Sequence, residues 1–174
     1  GPVHRRPAFI IDAYRDWTGD AVKNIVVLPY VSMHGSTQAM VDHLLDALVN
    51  RGIQVQPFNL TKTDTGDLAK ALVDAATIVI GAPTVIFGPH PQVVYAAYLA
   101  NLLRPKTRYA TVIGSYGWGG KTVDTIKGML DRLKVEVLEP VYIRGYPTAE
   151  DFAALDRLAD EIERKHREAG IIST

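Results

Sequence analysis

Five apolar segments, each followed by a segment with helical periodicity, constrain the fold of this 174-residue chain more than any other feature. The apolar segments are 24–30, 53–60, 77–82, 107–115 and 135–143, and the helical segments are 37–51, 63–75, 91–103, 121–134 and 148–168. Short, continuous apolar runs are typical of strands that helices cover on both faces, and the alternating pattern of 53–60 favours an edge position. Because crossovers between parallel strands are right-handed, the helices fall on both sides of the sheet. We therefore predict an α/β fold with a doubly wound, five-stranded parallel sheet.

The loops after the first, third and fourth predicted strands contain glycine, and they are predicted to meet. In an open parallel sheet, ligands bind at the carboxyl ends of the strands. The loop 32–37 combines serine, threonine and glycine at the start of a helix, which suits a phosphate group. The loop 115–120 places Tyr116 and Trp118 among glycines, which suits a flat ring. The loop 83–89 has prolines that stiffen it and Gly88, which we expect to permit an unusual backbone conformation.

These loops lack the motifs of the commonest nucleotide sites. Neither the G-x-x-x-x-G-K-[ST] loop of nucleoside triphosphatases nor the G-x-G-x-x-G loop of dinucleotide-binding domains occurs. In the flavodoxin-like strand order 2-1-3-4-5, FMN binds at the loops after the first and third strands. We therefore predict an FMN site with no catalytic acid or base, because the flavin carries the redox chemistry. The predicted contacts are Ser32, Met33, His34, Gly35, Ser36, Thr37, Pro83, Thr84, Val85, Ile86, Phe87, Gly88, Ser115, Tyr116, Gly117, Trp118, Gly119 and Gly120.

Each loop also has a purely structural interpretation. The first is also consistent with a serine- and threonine-rich turn that caps the helix beginning at Thr37, and Trp118 with an aromatic residue folded over the core. Phe87 is expected either to cover part of the ring or to fill a hydrophobic gap. His34 is expected either to donate to the phosphate or to face solvent.

The composition excludes several classes of function. Nineteen basic residues balance nineteen acidic ones, so the broad positive field of a nucleic-acid-binding protein is absent. No cysteine is present and the five histidines are scattered, so we predict no metal site. No apolar run approaches the roughly 18 residues that span a bilayer. The basic segment 1–6 lacks the apolar stretch of a secretory signal, and a cytoplasmic location is expected.

A helical pattern precedes the first strand. Phe9, Tyr14 and Trp17 recur at helical spacing over 7–17, and Gly19 follows. We predict a connector segment with a helix over 1–20 and a flavodoxin-like domain over 21–174. The sequence leaves open whether Gly1 and Pro2 are native or remain from a protease cleavage site.

Three segments together resemble the flavodoxin domain of flavodiiron proteins, also called A-type flavoproteins. They are Tyr30-Val31-Ser32-Met33-His34-Gly35-Ser36-Thr37, Gly81-Ala82-Pro83-Thr84 with Gly88-Pro89, and Gly114-Ser115-Tyr116-Gly117-Trp118-Gly119-Gly120. The resemblance runs through most of the chain, and the helix 7–17 resembles the connector to the metallo-β-lactamase-like diiron domain. Val31 departs from the pattern, because the family commonly has aspartate there.

The resemblance implies an electron-transfer module. FMN would accept electrons from rubredoxin or a reduced deazaflavin and pass them to a diiron site in a separate domain, which reduces O2 or NO. That domain would belong to the same full-length chain and act in another subunit of a homo-oligomer. Two other functions stay open: a self-sufficient FMN reductase acting on a quinone or NAD(P)H, and a cofactor-free interaction module.

Overall fold

The computed structural model describes residues 7–172, apart from the side chains at positions 16–18 and 132. The helices are α1 (Pro7–Thr18), α2 (Ser36–Val49), α3 (Thr65–Leu72), α4 (Pro91–Leu103), α5 (Thr122–Met129) and α6 (Ala149–Glu168). The strands are β1 (Lys23–Tyr30), β2 (Gln54–Asn59), β3 (Ala75–Val85), β4 (Gly88–Pro89), β5 (Tyr109–Tyr116), β6 (Glu136–Val137) and β7 (Val141–Arg144). Gly1 and Pro2, as well as the Trp17 side chain that was predicted on the apolar face of the first helix, lie outside the described residues.

The sheet has the predicted strand order. β2, β1, β3 and β5 are neighbours in that order and run parallel, and β6 and β7 both pair with β5 in parallel. β6 and β7 together therefore occupy the place of the predicted fifth strand, which confirms the flavodoxin-like order 2-1-3-4-5. β2 lies at the edge, as its alternating pattern predicted.

The predicted continuous strand 135–143 is interrupted in the structure. β6 pairs Ala110 with Val137, whereas β7 pairs Ile113 with Val141, so the second half is shifted by one residue. Pro140 lies in the gap, and proline has no N–H group to donate to a neighbouring strand. The Thr111 hydroxyl lies 3.3 Å from the carbonyl oxygens of both 138 and 139 and donates to this irregular stretch. The absence of an N–H group at Pro140 therefore accounts for the break in the strand.

Two hydrophobic layers hold the helices against the sheet. Successive residues of β1 point to opposite faces, so Val26 and Leu28 pack with α2 and α6, while Val27 packs with α3 and α4. β3 is buried over its first nine residues because helices cover both of its faces. The sheet is thus wound on both sides and presents the carboxyl ends of β1, β3, β5 and β7 at one edge.

The two terminal helices differ in their packing. The predicted first helix is confirmed as α1, and its Phe9 and Ile11 are exposed. α6 carries a charged outer face, but His166 in its last turn is fully buried. Among residues 7–172, no helix is both long enough and apolar enough to cross a membrane.

Candidate functional site

A cleft of about 410 Å³ opens at the carboxyl edge of the sheet. The three predicted loops meet there, together with a fourth segment that follows β7. The lining residues are Met33, His34, Ser36, Pro83, Thr84, Val85, Ile86, Ser115, Tyr116, Gly117, Trp118, Gly119, Gly145 and Tyr146. The volume is within the range of roughly 300–1,000 Å³ that is typical of small-molecule sites.

The first loop presents the amino terminus of α2 to the cleft. The helix begins at Ser36, one residue earlier than predicted, and its N-cap is Gly35 in a left-handed conformation with φ of 85°. Gly35 has no side chain to cap the helix, while the Ser32 hydroxyl accepts a hydrogen bond from the Gln38 N–H at 3.2 Å. The Thr37 hydroxyl is buried and has no hydrogen-bond partner among the described residues. The loop therefore offers donors that an anion would satisfy.

The first and third loops are joined directly. Ser36 Oγ lies 2.6 Å from Ser115 Oγ, and either hydroxyl can donate. Ser115 is buried at the end of β5, so this hydrogen bond fixes the start of α2 over the end of the neighbouring strands.

The second loop is a β-hairpin, because β3 continues to Val85 and pairs with the antiparallel strand β4. Val85 pairs with Gly88, which leaves Ile86 and Phe87 as the two turn residues. Ile86 has φ of 59°, a left-handed conformation that is costly for a β-branched residue, and its side chain is 69% exposed at the cleft. The prediction that Gly88 adopts the unusual backbone was wrong, since Ile86 adopts it instead. Backbone strain of this kind is concentrated at functional sites.

The two aromatic residues of the third loop have different surroundings. Tyr116 stacks on Tyr142 of β7, with ring centroids 5.9 Å apart and planes 9° apart. Trp118 is 77% exposed and lines the cleft, so it is not folded over the core as the structural interpretation proposed. The Lys121 N–H donates to the Phe87 carbonyl oxygen at 2.9 Å and ties this loop to the hairpin.

The Thr84 hydroxyl is held by the hydroxyl groups of two residues that do not line the cleft. It lies 2.7 Å from the Tyr142 hydroxyl and 2.8 Å from the Thr122 hydroxyl. Burial raises the pKa of Tyr142, and the hydroxyl contacts only partly offset that effect. Tyr142 is therefore a neutral phenol that fixes the orientation of Thr84.

Six predicted contacts do not line the cleft: Ser32, Gly35, Thr37, Phe87, Gly88 and Gly120. Ser32 and Gly35 shape the first loop from within, as described above, and the Thr37 hydroxyl is buried there without a partner among the described residues. Phe87 is 68% exposed, so it does not fill a hydrophobic gap. His34 is exposed and lines the cleft.

Sequence reasoning missed Gly145 and Tyr146. They follow β7, so the rule that placed the other loops at the carboxyl ends of strands would also have placed this one. The segment is bound to the third loop, because the Gly145 N–H donates to the Tyr116 carbonyl oxygen at 2.9 Å. Arg144 Nε also donates to the Gly117 carbonyl oxygen at 3.3 Å.

The cleft carries little formal charge. Its lining residues include no aspartate or glutamate, and His34 is the one basic side chain among them. Among the described side chains, no group of three His, Asp or Glu residues is arranged to hold a metal ion. The lining thus suits a ligand bound through backbone groups, hydroxyls and apolar surfaces.

The residues present fit FMN. An open helix terminus and the unpartnered Thr37 hydroxyl provide donors for a phosphate, and the exposed apolar side chains of Ile86 and Trp118 provide surfaces for a flat ring. Ile86 of the hairpin turn lines the same cleft.

Comparisons with known proteins give a consistent answer. A nitric oxide reductase from Moorella thermoacetica is 33% identical over 160 residues, which cover 90% of this chain and 40% of that protein. A coenzyme F420H(2) oxidase from Methanothermobacter marburgensis is 32% identical over 171 residues, with 94% and 42% covered. The solved structure of the rubredoxin oxygen:oxidoreductase from Desulfovibrio gigas has a TM-score of 0.87 at 25% identity, over 92% of this chain and 40% of that one. The flavodiiron protein from Giardia intestinalis shares the fold, with a TM-score of 0.84 at 21% identity over 93% of this chain and 41% of that one.

The chain is similar to flavodiiron proteins over most of its own length. It corresponds to the flavodoxin-like region of flavodiiron proteins, and the resemblance drawn from the three loop segments is confirmed. No family model matches the sequence. The chain spans about 40% of the length of the curated relatives it matches.

Proposed function

We propose that this chain is an FMN-binding electron-transfer module that serves a diiron site in a separate domain. The cleft at the carboxyl edge of the sheet carries this proposal, because loops from β1, β3 and β5 converge there on one volume of about 410 Å³. Bound FMN supplies the redox chemistry, while the protein supplies binding, orientation and electrostatics.

The first loop holds the phosphate. The N–H groups at the start of α2 carry partial positive charge, and the left-handed Gly35 keeps side-chain atoms out of their path. The hydroxyls of Ser36 and Thr37 add donors beside them. This arrangement binds an anion without a lysine or arginine in the loop.

The hairpin and the third loop hold the flavin ring. Trp118 stacks on the ring, and the strained turn at Ile86 brings backbone N–H and C=O groups to its edge. Hydrogen bonds tie each of these loops to a neighbour, so the ring enters a site that is already formed.

The remaining parts of the function lie outside this chain. The relatives are more than twice as long, and we assign a metallo-β-lactamase-like diiron domain to the rest of the full-length protein. The connector is the segment 1–20 with α1, and the flavodoxin-like domain is 21–174. The electron donor is rubredoxin or a reduced deazaflavin such as coenzyme F420H2, which the relatives' names indicate, and the acceptor is O2 or NO. A cytoplasmic location and assembly into a homo-oligomer complete the proposal.

Titration of the apoprotein with FMN tests the proposal. Binding is expected to quench flavin fluorescence with one site per chain, and Trp118→Ala is expected to weaken it about tenfold, because aromatic contacts contribute roughly 0.5–1.5 kcal/mol beyond buried area. Tyr98→Ala is the matched control, since Tyr98 is an exposed aromatic residue on α4. A protein that ignores added FMN would refute the proposal.

A kinetic test separates the module from a self-sufficient reductase. The FMN-loaded chain is expected to accept electrons from a chemically reduced deazaflavin in a single turnover. Steady oxidation of NADH or NADPH by this chain alone would favour the reductase instead.

A further inference from the structure

We infer that Tyr146 is a second aromatic contact for the flavin ring, on the β7 side of the cleft; this inference rests on the proposed FMN site. Tyr146 lines the same cleft as Trp118, although it comes from a different strand end. Its side chain is 65% exposed, so an apolar ring of this size gains little from its present environment. A ligand ring that enters the cleft would cover it.

The backbone on both sides of Tyr146 is anchored. On the amino-terminal side, the N–H of Gly145 and the guanidinium of Arg144 donate to carbonyl oxygens of the third loop. On the carboxyl-terminal side, Thr148 forms a capping box with Asp151 at the start of α6. Pro147 lies between these anchors and fixes its own φ.

This rigidity gives Tyr146 the character of a binding residue. A tyrosine at the tip of a mobile loop would lose conformational entropy when a ligand ordered it. Here the connection between β7 and α6 is short, and hydrogen bonds fix both of its ends. The aromatic ring is therefore presented to the cleft before the ligand arrives, and little ordering is left for the binding step.

The ring, rather than the hydroxyl, is the part of Tyr146 that binds. The phosphate is assigned to the amino terminus of α2, where N–H groups and the hydroxyls of Ser36 and Thr37 are already present. The surface that remains for Tyr146 to cover is aromatic, and offset stacking between aromatic rings is favourable. A phenylalanine at this position should serve as well.

Titrations with FMN and with riboflavin test this role. Tyr146→Ala is expected to lower the affinity for both ligands by about the same factor, roughly tenfold, because both carry the ring. Tyr146→Phe is expected to stay within about twofold of the unchanged protein for both ligands. The visible absorption band of the bound flavin is expected to shift in Tyr146→Ala and not in Tyr146→Phe, which a merely structural role would not produce.

Controls separate the possible failures. Tyr95→Ala changes an exposed tyrosine on α4 and is expected to bind both ligands normally. Thermal unfolding of the ligand-free variants checks that Tyr146→Ala still folds.

If the unchanged protein binds FMN and Tyr146→Ala binds it equally well, the inference is wrong while the proposed function stands. If Tyr146→Phe loses affinity for FMN but not for riboflavin, Tyr146 acts through its hydroxyl on the phosphate and the inference is again wrong. Failure of the unchanged protein to bind FMN would refute the proposed function itself.

Discussion

Ser36 Oγ and Ser115 Oγ lie 2.6 Å apart, although 79 positions separate the two residues in the sequence. One belongs to the first turn of α2 and the other to the end of β5. Their hydrogen bond joins the start of α2 to the end of β5 at the cleft, so the geometry of one loop depends on the other.

This pair should act as a unit in FMN binding. Ser36→Ala and Ser115→Ala are each expected to weaken FMN about five- to tenfold, because each leaves the partner hydroxyl without its hydrogen bond. The double variant is expected to cost little more than the larger single change, and fluorescence titration of all four proteins measures the coupling. Fully additive losses would contradict a joint role.

The strained conformation of Ile86 should lower the stability of the protein, while the Ile86 side chain should favour FMN binding. Ile86→Gly is expected to raise the free energy of unfolding by about 1 kcal/mol, since glycine adopts a positive φ without the penalty that a β-branched residue incurs. The same change removes an exposed apolar side chain from the cleft and is expected to weaken FMN. Urea denaturation of the ligand-free protein and FMN titration give the two quantities. A loss of stability on the change to glycine would show that Ile86 is not strained.

Substitution of a glycine in β5 tests how closely β5 and β3 approach each other. A Cβ atom at Gly114 would overlap the Ala82 carbonyl oxygen of β3, and Gly114 has φ of 153°. Gly114→Ala is therefore expected to lower the free energy of unfolding by about 3 kcal/mol or more. Gly128 in α5 is the matched control, because a Cβ there meets no atom within 4 Å. Gly128→Ala is expected to be neutral or to stabilise by about 0.5 kcal/mol, and denaturant titration of both variants checks the contrast.

His166 should make the stability depend on pH. Burial lowers its pKa from 6.5 to about 4, and its ring nitrogens are hydrogen-bonded to Thr77 and Asn24. Between these two pKa values the unfolded chain binds a proton that the folded chain does not, so the free energy of unfolding falls as pH drops from 6.5 to 4. The contribution of the neutral His166 to the free energy of unfolding is up to about 3 kcal/mol, and it is fully present above pH 6.5. NMR titration of the ring checks the pKa, and a value near 6.5 would contradict the prediction.

The sequence predicts the order of the sheet because the signals are local and repeated. Each strand is a short apolar run and each crossover is a helix, so chain order and handedness leave few arrangements. The interruption near Pro140 was missed, although proline is a visible signal. A single residue without an N–H group has less weight in a pattern than the six apolar residues around it in 135–143.

The site was predicted in outline and not in detail, for two physical reasons. Glycine, serine and threonine mark the loops, but Ile86 carries no sequence signal of a left-handed backbone, because the two-residue hairpin turn between β3 and β4 places it in that conformation. Tyr146 was missed because its loop has no glycine-rich motif, and only the sheet order brings it to the same cleft as Tyr116. Partly buried support such as the Thr84 and Tyr142 hydroxyl pair depends on residues 58 positions apart in the sequence, which a single sequence does not reveal.

The cleft takes its walls from the ends of four strands, and these strands span most of the chain between Lys23 and Arg144. No short fragment of the protein can reproduce it. Flavin affinity therefore reports on the integrity of the entire sheet. A change in any strand that disturbs the alignment of its neighbours will alter flavin affinity before the chain unfolds.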